Sequence, residues 1–238
     1  ELSQDGQSVA REEIVLGPGE SQRLEFSVDA GGASKIKAIL TPAGADSLAA
    51  DNEAYLTIPQ SRQLLVYVDP ELASYRYALD ENSEMILYPQ PDQSSAPAEY
   101  DLVISGAAKD MDREALIKLG VGFVPEELEK YIQLETELTE VVDWNRSSSL
   151  LRHVQLSDVQ ITQQPVWTEN SGVENLEELG YEVLIHGKLG PLLLQKRTPT
   201  DQEFYFLFDT DRSTLPYRVG FPIMVSNLVQ LTLQEAGI

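Results

Sequence analysis

The side chains that could form a reactive centre in this chain of 238 residues follow its apolar segments. Asp209 and Asp211 come directly after the apolar run at 204–208. Carboxylates at the carboxyl ends of sheet strands line the ligand sites of α/β proteins. Asp69 follows a second apolar run and Ser105 a third. Each aspartate also has a simpler interpretation, because an aspartate after a strand often caps the turn or helix that follows.

Two histidines, His153 and His186, are available as general bases. His153 lies among apolar residues and is interpreted as a structural histidine, whereas His186 is interpreted as a surface residue at the end of a strand. A hydrolase-like enzyme would instead use His153 as the base beside Asp69, Asp209 or Asp211. No local pattern places a histidine next to a serine nucleophile, so this hypothesis remains the alternative.

Composition excludes several classes of function. The chain has no cysteine, which removes disulfides, thiolate nucleophiles and thiolate metal sites, and two histidines are too few for a histidine-rich zinc site. The net charge of −22 repels nucleic acids and anionic membrane surfaces. The acidic loop at 46–53 has the oxygen ligands that Ca²⁺ prefers, but it lacks the EF-hand spacing, and a hydrogen-bonded turn between strands is the favoured interpretation. We predict no metal, no cofactor and no nucleic-acid partner.

Hydrophobic periodicity predicts two domains, at 1–61 and 62–238. The first has short alternating segments between Gly and Pro turns, which indicates a small and incomplete immunoglobulin-like β-sandwich. The second begins with the continuous apolar run Leu64–Val68, typical of a strand buried on both faces. Strands then alternate with helical segments up to a final helix at about 220–235, so the predicted fold class is α/β, with a flavodoxin-like three-layer domain.

Several short segments occur in an order that resembles a known family. They are Asp46–Tyr55, Val142–Arg146, Leu150–Val154, Leu156–Val159, Gly190–Leu194, Phe208–Asp209, Leu215–Pro222 and Asn227. In this order they resemble bacterial membrane proteins of the aerotolerance-operon type, which carry a von Willebrand factor A domain. Each segment is short, and the resemblance rests on their succession along most of the chain.

The resemblance implies an architecture that extends beyond this chain. It consists of N-terminal transmembrane helices, the von Willebrand factor A domain, an immunoglobulin-like segment and a class I glutamine amidotransferase-like domain. The chain would cover only the last two parts, so any membrane attachment would come from segments outside it. The metal motif of the von Willebrand factor A domain (Asp-x-Ser-x-Ser) is not in this sequence, and its metal is not carried over.

An active amidotransferase needs a cysteine on a sharp turn after a strand. The resemblance implies that Gly120, in Gly120-Val121-Gly122, stands where this cysteine would be. The chain contains no cysteine at any position that could take over its role. We therefore expect no enzymatic activity. The expected function is a non-catalytic interaction or scaffold region on the extracytoplasmic face of a membrane-anchored bacterial protein, with protein partners.

Overall fold

The structure is a computed structural model that describes residues 1–28, 33–44, 46–58, 62–80, 83–90 and 96–238. The chain forms two compact units, Glu1–Arg62 together with Gly237–Ile238, and Gln63–Ala236. Residues 59–61, at the predicted domain boundary, lie outside the described residues. No described helix is both long and apolar enough to cross a lipid bilayer.

The first unit contains one antiparallel sheet. Its strands are β1 (Leu2–Gln4), β2 (Gln7–Ala10), β3 (Ser34–Ile39) and β4 (Glu53–Ile58), in the order β2-β1-β3-β4. The hairpin between β1 and β2 turns at Asp5-Gly6, where both residues have positive φ (50° and 81°). Two such residues in succession give a backbone twist that matches that of the flanking strands.

The predicted immunoglobulin-like β-sandwich is wrong, because the described residues of this unit form a single sheet. The segment at 23–28 alternates in polarity but forms no strand, and Phe26 is 37% exposed. Val15, in the segment before it, is 96% exposed. The only buried apolar side chains of the described part of the unit are Leu2 and Ile36, which are too few to form the core between two sheets.

The second unit is built around a large mixed sheet. Its strands are β5 (Leu64–Val68), β6 (Met85–Tyr88), β7 (Glu99–Ser105), β8 (Glu114–Val121), β9 (Ile132–Glu135), β10 (Thr139–Trp144), β11 (Gln160–Ile161), β12 (Gln164–Trp167), β13 (Tyr181–Gly187), β14 (Pro191–Arg197) and β15 (Gln202–Phe206). Nine of these described strands form one sheet of order β11-β10-β13-β14-β15-β8-β7-β5-β6, and β9 pairs separately with β12.

Strands β6, β5, β7, β8 and β15 form a parallel half of this sheet. The strands predicted at 64–68 and 85–88 are confirmed as β5 and β6. Leu64, Val66 and Val68 are completely buried on one face of the sheet. Leu65 and Tyr67, which point to the other face, are only half-buried. The apolar run therefore marks a strand that is buried more deeply on one face than on the other.

The predicted flavodoxin-like three-layer α/β fold is also wrong. That fold requires helices on the crossovers between parallel strands, but the described residues contain only three α-helices, namely α1 (Ala73–Asp80), α2 (Val173–Glu178) and α3 (Gly220–Ala236). The chain passes from β7 to β8 through the 3₁₀ turn Ala108–Asp112. Between β8 and β15 it adds antiparallel strands at the sheet edge. The protein is therefore a mostly β structure.

The two faces of the sheet are covered differently. Helix α3 packs on β7 and β8 and against α1, so these two helices cover one face of the parallel half. The opposite face carries Tyr67, Tyr88 and Tyr100, with the Arg113 guanidinium 4.2 Å from the centre of the Tyr67 ring. Further along this face, Leu128 joins a core cluster with α2 and the β9–β12 ribbon. This arrangement leaves the carboxyl ends of the parallel strands at one edge.

Candidate functional site

The sequence-predicted carboxylates lie at the carboxyl edge of the parallel half. The chain leaves β5 for β6 on one side and then crosses to β7 on the other side, so the order of the strands reverses between β5 and β7. Ligands of open α/β sheets bind at such a reversal. Asp69 directly follows β5, and Ser105 is the last residue of β7, so the structure brings these two predicted residues together there.

Asp69 joins the loops that follow the two strands. Its Oδ1 accepts a hydrogen bond from the Glu71 amide at 3.0 Å, and its Oδ2 accepts one from the Gly106 amide at 3.3 Å. The Ser105 hydroxyl lies 3.4 Å from the same Oδ2. An aspartate that accepts a hydrogen bond from the amide two residues ahead forms a compact turn, so Asp69 acts here as a turn and loop anchor.

Ser105 is completely buried, and its hydroxyl is hydrogen-bonded to a second carboxylate, that of Asp110. Its Oγ donates to Asp110 Oδ2 at 2.8 Å and accepts from the Ala107 amide at 3.1 Å. Asp110 Oδ1 in turn accepts from Arg113 Nε at 3.1 Å and lies 3.0 Å from Arg113 Nη2. The Tyr67 hydroxyl donates to Asp110 Oδ2 at 3.3 Å. We call Tyr67, Asp69, Ser105, Asp110 and Arg113 the edge cluster.

The electrostatics of the edge cluster keep Tyr67 protonated. Burial, and then the negative charge of Asp110, raise the pKa of the Tyr67 hydroxyl above its ordinary value. The hydroxyl of Tyr67 therefore remains a hydrogen-bond donor at neutral pH. Asp110 and Arg113 form an ion pair at 3.0 Å, and Asp69 is the second carboxylate of the cluster. Among the described residues no group of three or more His, Cys, Asp or Glu side chains could hold a metal ion.

Asp209 and Asp211 lie in the turn after β15. Asp209 Oδ1 accepts hydrogen bonds from the Asp211 amide at 3.0 Å and the Arg212 amide at 3.3 Å, and its Oδ2 lies 3.2 Å from Arg212 Nε. Asp211 Oδ2 accepts from the Ser74 amide in the first turn of α1 at 3.2 Å. Both side chains hold backbone amides in place, which agrees with the capping interpretation of these two residues.

Gly120 lies inside β8, and the sharp turn comes two residues later. A Cβ on Gly120 would lie 2.8 Å from both Phe123 Cζ and Tyr205 Cδ1, so a side chain there would force at least one of the two rings to move. Gly122 directly follows β8 and has φ +85°, a left-handed conformation that favours glycine. A Cβ on Gly122 would be 3.4 Å from the Asp209 Cα. The residue with the backbone geometry of a turn is therefore Gly122 and not Gly120.

His153 takes no part in the hydrogen bonds of the edge cluster or in those of Asp209 and Asp211. It is exposed, has φ +63°, and ends a turn whose carbonyl oxygens, those of Leu150 and Arg152, accept hydrogen bonds from Asn227 Nδ2 at 3.0 and 2.8 Å. Within the described ranges, no hydrogen bond or ion pair joins the His153 imidazole to a carboxylate. His153, interpreted from the sequence as a structural histidine among apolar residues, has a side chain that faces solvent.

The carboxylates of the acidic loop at 46–53, the candidate calcium site, accept hydrogen bonds from other groups of the protein. Asp46 accepts hydrogen bonds from the Leu48 amide and the Asn52 side chain, and these bonds hold the pKa of its carboxyl below the ordinary value. Glu53 accepts from the Tyr55 hydroxyl at 2.6 Å and from Lys37 Nζ at 2.9 Å. The described residues of this loop thus form the hydrogen-bonded turn that was the alternative to a calcium site.

A groove between α1 and α3 was not predicted from the sequence. We call it the helix groove. It has a volume of about 630 Å³ and is lined by Ala73, Ser74, Tyr77, Ala78, Leu79, Glu84, Pro216, Tyr217, Phe221, Pro222, Val225, Ser226, Val229 and Gln230. Tyr77 and Tyr217 stand beside it with 83% and 85% of their surface exposed. In the sequence, the only signal is the pair of tyrosines, one within an amphipathic helix and one after a proline.

Comparison with known proteins does not assign a family. No family model matches the chain, and no curated protein matches it in sequence. Two solved structures of cytoplasmic proteins from Salmonella typhimurium, one of them from strain LT2, each share 11% identity with it. The LT2 protein has a TM-score of 0.43, with 85% of this chain and 97% of that chain covered. The second has a TM-score of 0.41, with 84% and 96% covered.

A β-galactosidase from Bacillus circulans sp. alkalophilus is also similar in part. It shares 13% identity at a TM-score of 0.38, and the match covers 75% of this chain but 32% of the galactosidase. Similarities at this level carry no argument about function. The function must therefore be inferred from the side chains of the chain itself.

Proposed function

We propose that this chain is a non-catalytic protein-interaction module and that its partner binds in the helix groove. The resemblance to membrane proteins with a von Willebrand factor A domain supports a location on the extracytoplasmic face of a membrane-anchored bacterial protein. The observation that carries the proposal is the groove itself, with two almost fully exposed tyrosines beside an apolar floor. Exposed aromatic side chains around a pocket are typical anchor points of protein interfaces.

The shape and chemistry of the groove favour an amphipathic helix as the occupant. Two helices form its walls, and Phe221, Val225 and Val229 of α3 give it an apolar floor. Its described lining contains no Lys, Arg or His, and Glu84 is its one charged residue. In a chain of net charge −22, long-range electrostatics attract a cationic partner. The occupant we propose is a helix with an apolar face and basic flanks.

The edge cluster supports a non-catalytic role. A serine nucleophile must be accessible and must face a base, but Ser105 is completely buried and donates to Asp110. The three predicted aspartates accept hydrogen bonds from backbone amides. The hydrolase-like alternative, with His153 as base, would need a carboxylate in hydrogen-bond reach of that imidazole.

We expect the variant Tyr77→Ser/Tyr217→Ser to lose affinity for a basic amphipathic helix by about tenfold or more, because exposed aromatic anchors dominate such interfaces. The probe is a synthetic helical peptide with one leucine face and one lysine face, titrated by fluorescence anisotropy. The titration is done in about 0.5 M NaCl, which screens the general attraction between an acidic protein and a basic peptide.

The matched control is Leu138→Ser/Val142→Ser, which removes two exposed apolar side chains of the same unit that do not line the groove. It should bind the probe as the parent chain does. A peptide with glutamate in place of lysine should bind more weakly than the lysine peptide. Equal affinity of the parent chain and the two double variants would refute the helix groove as the docking surface.

A further inference from the structure

Strand β4 forms an open edge of the sheet in the first unit. Proteins protect such edges with very short strands, prolines, lysines or irregular pairing. Of the other outer strands in the two larger described sheets, β11 has two residues, β6 is followed by Pro89, and the ladder of β2 with β1 shifts register. Strand β4 has six residues, pairs with β3 without a shift and contains no proline or lysine. It therefore lacks the usual protection against pairing with another strand.

The outward backbone groups of β4 are available for such pairing. The Leu40 amide donates to the Asn52 carbonyl at 2.8 Å, which fixes the residues that face β3. Because successive residues of a strand direct their N–H and C=O groups to opposite sides, the backbone groups of Glu53, Tyr55 and Thr57 point away from β3. No hydrogen bond between described backbone groups reaches these three residues from outside the sheet. An added strand would pair with all three.

The side chains of β4 are exposed on both faces of the sheet. Tyr55 and Leu56 point to opposite faces and are 69% and 62% exposed. Leu40, whose amide is bonded just before the start of β4, is 56% exposed. Apolar side chains beside an open backbone edge mark a surface of association. The occupant that this edge fits is an extended strand.

The side chains of β4 are complementary to a second copy of β4. An antiparallel pair with a two-fold axis at Tyr55 places the two Tyr55 side chains opposite each other. It also places Glu53 opposite Thr57 of the second copy, and Ala54 opposite Leu56. Aromatic pairs stabilise antiparallel strands, and the large Leu56 faces a small residue. No two like charges lie opposite each other in this register.

Charge complementarity favours the same register. Lys35 of β3 lies beside Thr57, and Thr57 in turn lies beside Glu53 of the second copy. Opposite charges therefore flank Thr57 in both halves of the pair. We propose that two copies of this chain associate through β4, which joins their four-stranded sheets into one continuous sheet. Such an interface is closed, because each copy uses the same strand.

Sedimentation velocity of the full chain tests this dimer. The solution contains about 0.5 M NaCl, which screens the repulsion between two copies of net charge −22. The parent chain should form a dimer with a dissociation constant of about 10–100 µM, since one strand pair buries less surface than a standard interface. A chain that stays monomeric up to about 500 µM, or that assembles beyond the dimer, overturns the proposal.

Charge variants at Thr57 test the strand and its register. In Thr57→Glu the new carboxylate lies beside Lys35 of its own chain, so the fold is retained, but in the dimer it faces Glu53 of the second copy. It should weaken the dimer by about fivefold or more, because this contact of like charges occurs twice. Thr57→Lys should dimerise at least as tightly as the parent chain. The control is Ser8→Glu on the exposed edge of β2, which should match the parent. Equal dimerisation of Thr57→Glu and the parent would overturn the proposal.

A single introduced cysteine reports the register directly, because the chain has none of its own. Residues opposite each other in a hydrogen-bonded antiparallel pair have Cα atoms about 5.5 Å apart, a distance that a disulfide spans. Under mild oxidation Tyr55→Cys should form a covalent dimer on a non-reducing gel, whereas Ser8→Cys should stay monomeric. Cross-linking of the two variants to the same extent would refute the register.

Discussion

Replacing Asp110 by alanine is expected to destabilise the second unit by about 2–4 kcal/mol. The change removes the acceptor of the buried Ser105 hydroxyl and leaves the Arg113 guanidinium without its carboxylate above Tyr67. Breaking a buried pair costs more than the pair contributed, because one uncompensated group remains. Water can solvate part of the Arg113 guanidinium, whose side chain is 35% exposed, and this lowers the loss in the free energy of unfolding. Urea unfolding measures the effect.

Tryptophan fluorescence reports on this unit alone, because Trp144 and Trp167 both belong to it. The control is Glu140→Ala, which removes an ion pair with Lys188 whose side chains are 58% and 56% exposed. It should change the free energy of unfolding by no more than about 0.5 kcal/mol. If both variants unfold at the same urea concentration, the edge cluster does not stabilise the carboxyl edge of the sheet.

Gly120→Cys, which introduces a cysteine at the position that the sequence resemblance singled out, is expected to cost about 2–3 kcal/mol without creating activity. The new Cβ would lie 2.8 Å from the rings of Phe123 and Tyr205, and both rings belong to packed surroundings. Overpacking of this kind forces side chains out of their preferred rotamers. The measurements are urea unfolding and an amidase assay with glutamine.

Gly106→Ala is the matched control, because its Cβ would make only ordinary contacts, 3.6 Å from the Val121 carbonyl oxygen and 3.7 Å from Asp69 Oδ2. It should change stability by less than about 0.5 kcal/mol. The double variant Gly120→Cys/Phe123→Leu should recover part of the loss, since it removes one of the two clashing rings. Full stability of Gly120→Cys, or ammonia release from glutamine, would contradict the expected result.

Single strands of the second unit could be predicted because their signal is local. Leu64–Val68 and Met85–Tyr88 are short apolar runs between turn residues, and both are strands with those bounds. The direction in which a strand pairs is not local. Strands β13 and β14 also contain short apolar runs, Val183–Ile185 and Leu192–Leu194, yet they pair antiparallel across a tight turn at Gly187–Gly190. Composition alone did not distinguish them from strands of a doubly wound sheet.

The candidate sites were harder to predict because burial and partners depend on distant residues. Asp110 has no apolar run directly before it, and one of its three partners, Tyr67, is 43 residues away in the sequence. The aspartates after strands were visible in the sequence, but only the structure shows that their oxygens already accept backbone hydrogen bonds.

Residues 122–201 separate β8 from β15 in the sequence, and this separation affects the order in which the second unit folds. These two strands are neighbours in the parallel half, with Gln202 beside Ile117 and Phe206 beside Val121. Closing so long a segment costs chain entropy before the contacts form, and sheets rich in distant pairings fold slowly. The antiparallel hairpin of β13 and β14 involves much shorter loops. We expect it to form first and to bring β15 to β8, so that the antiparallel part of the sheet is the folding template for the parallel half.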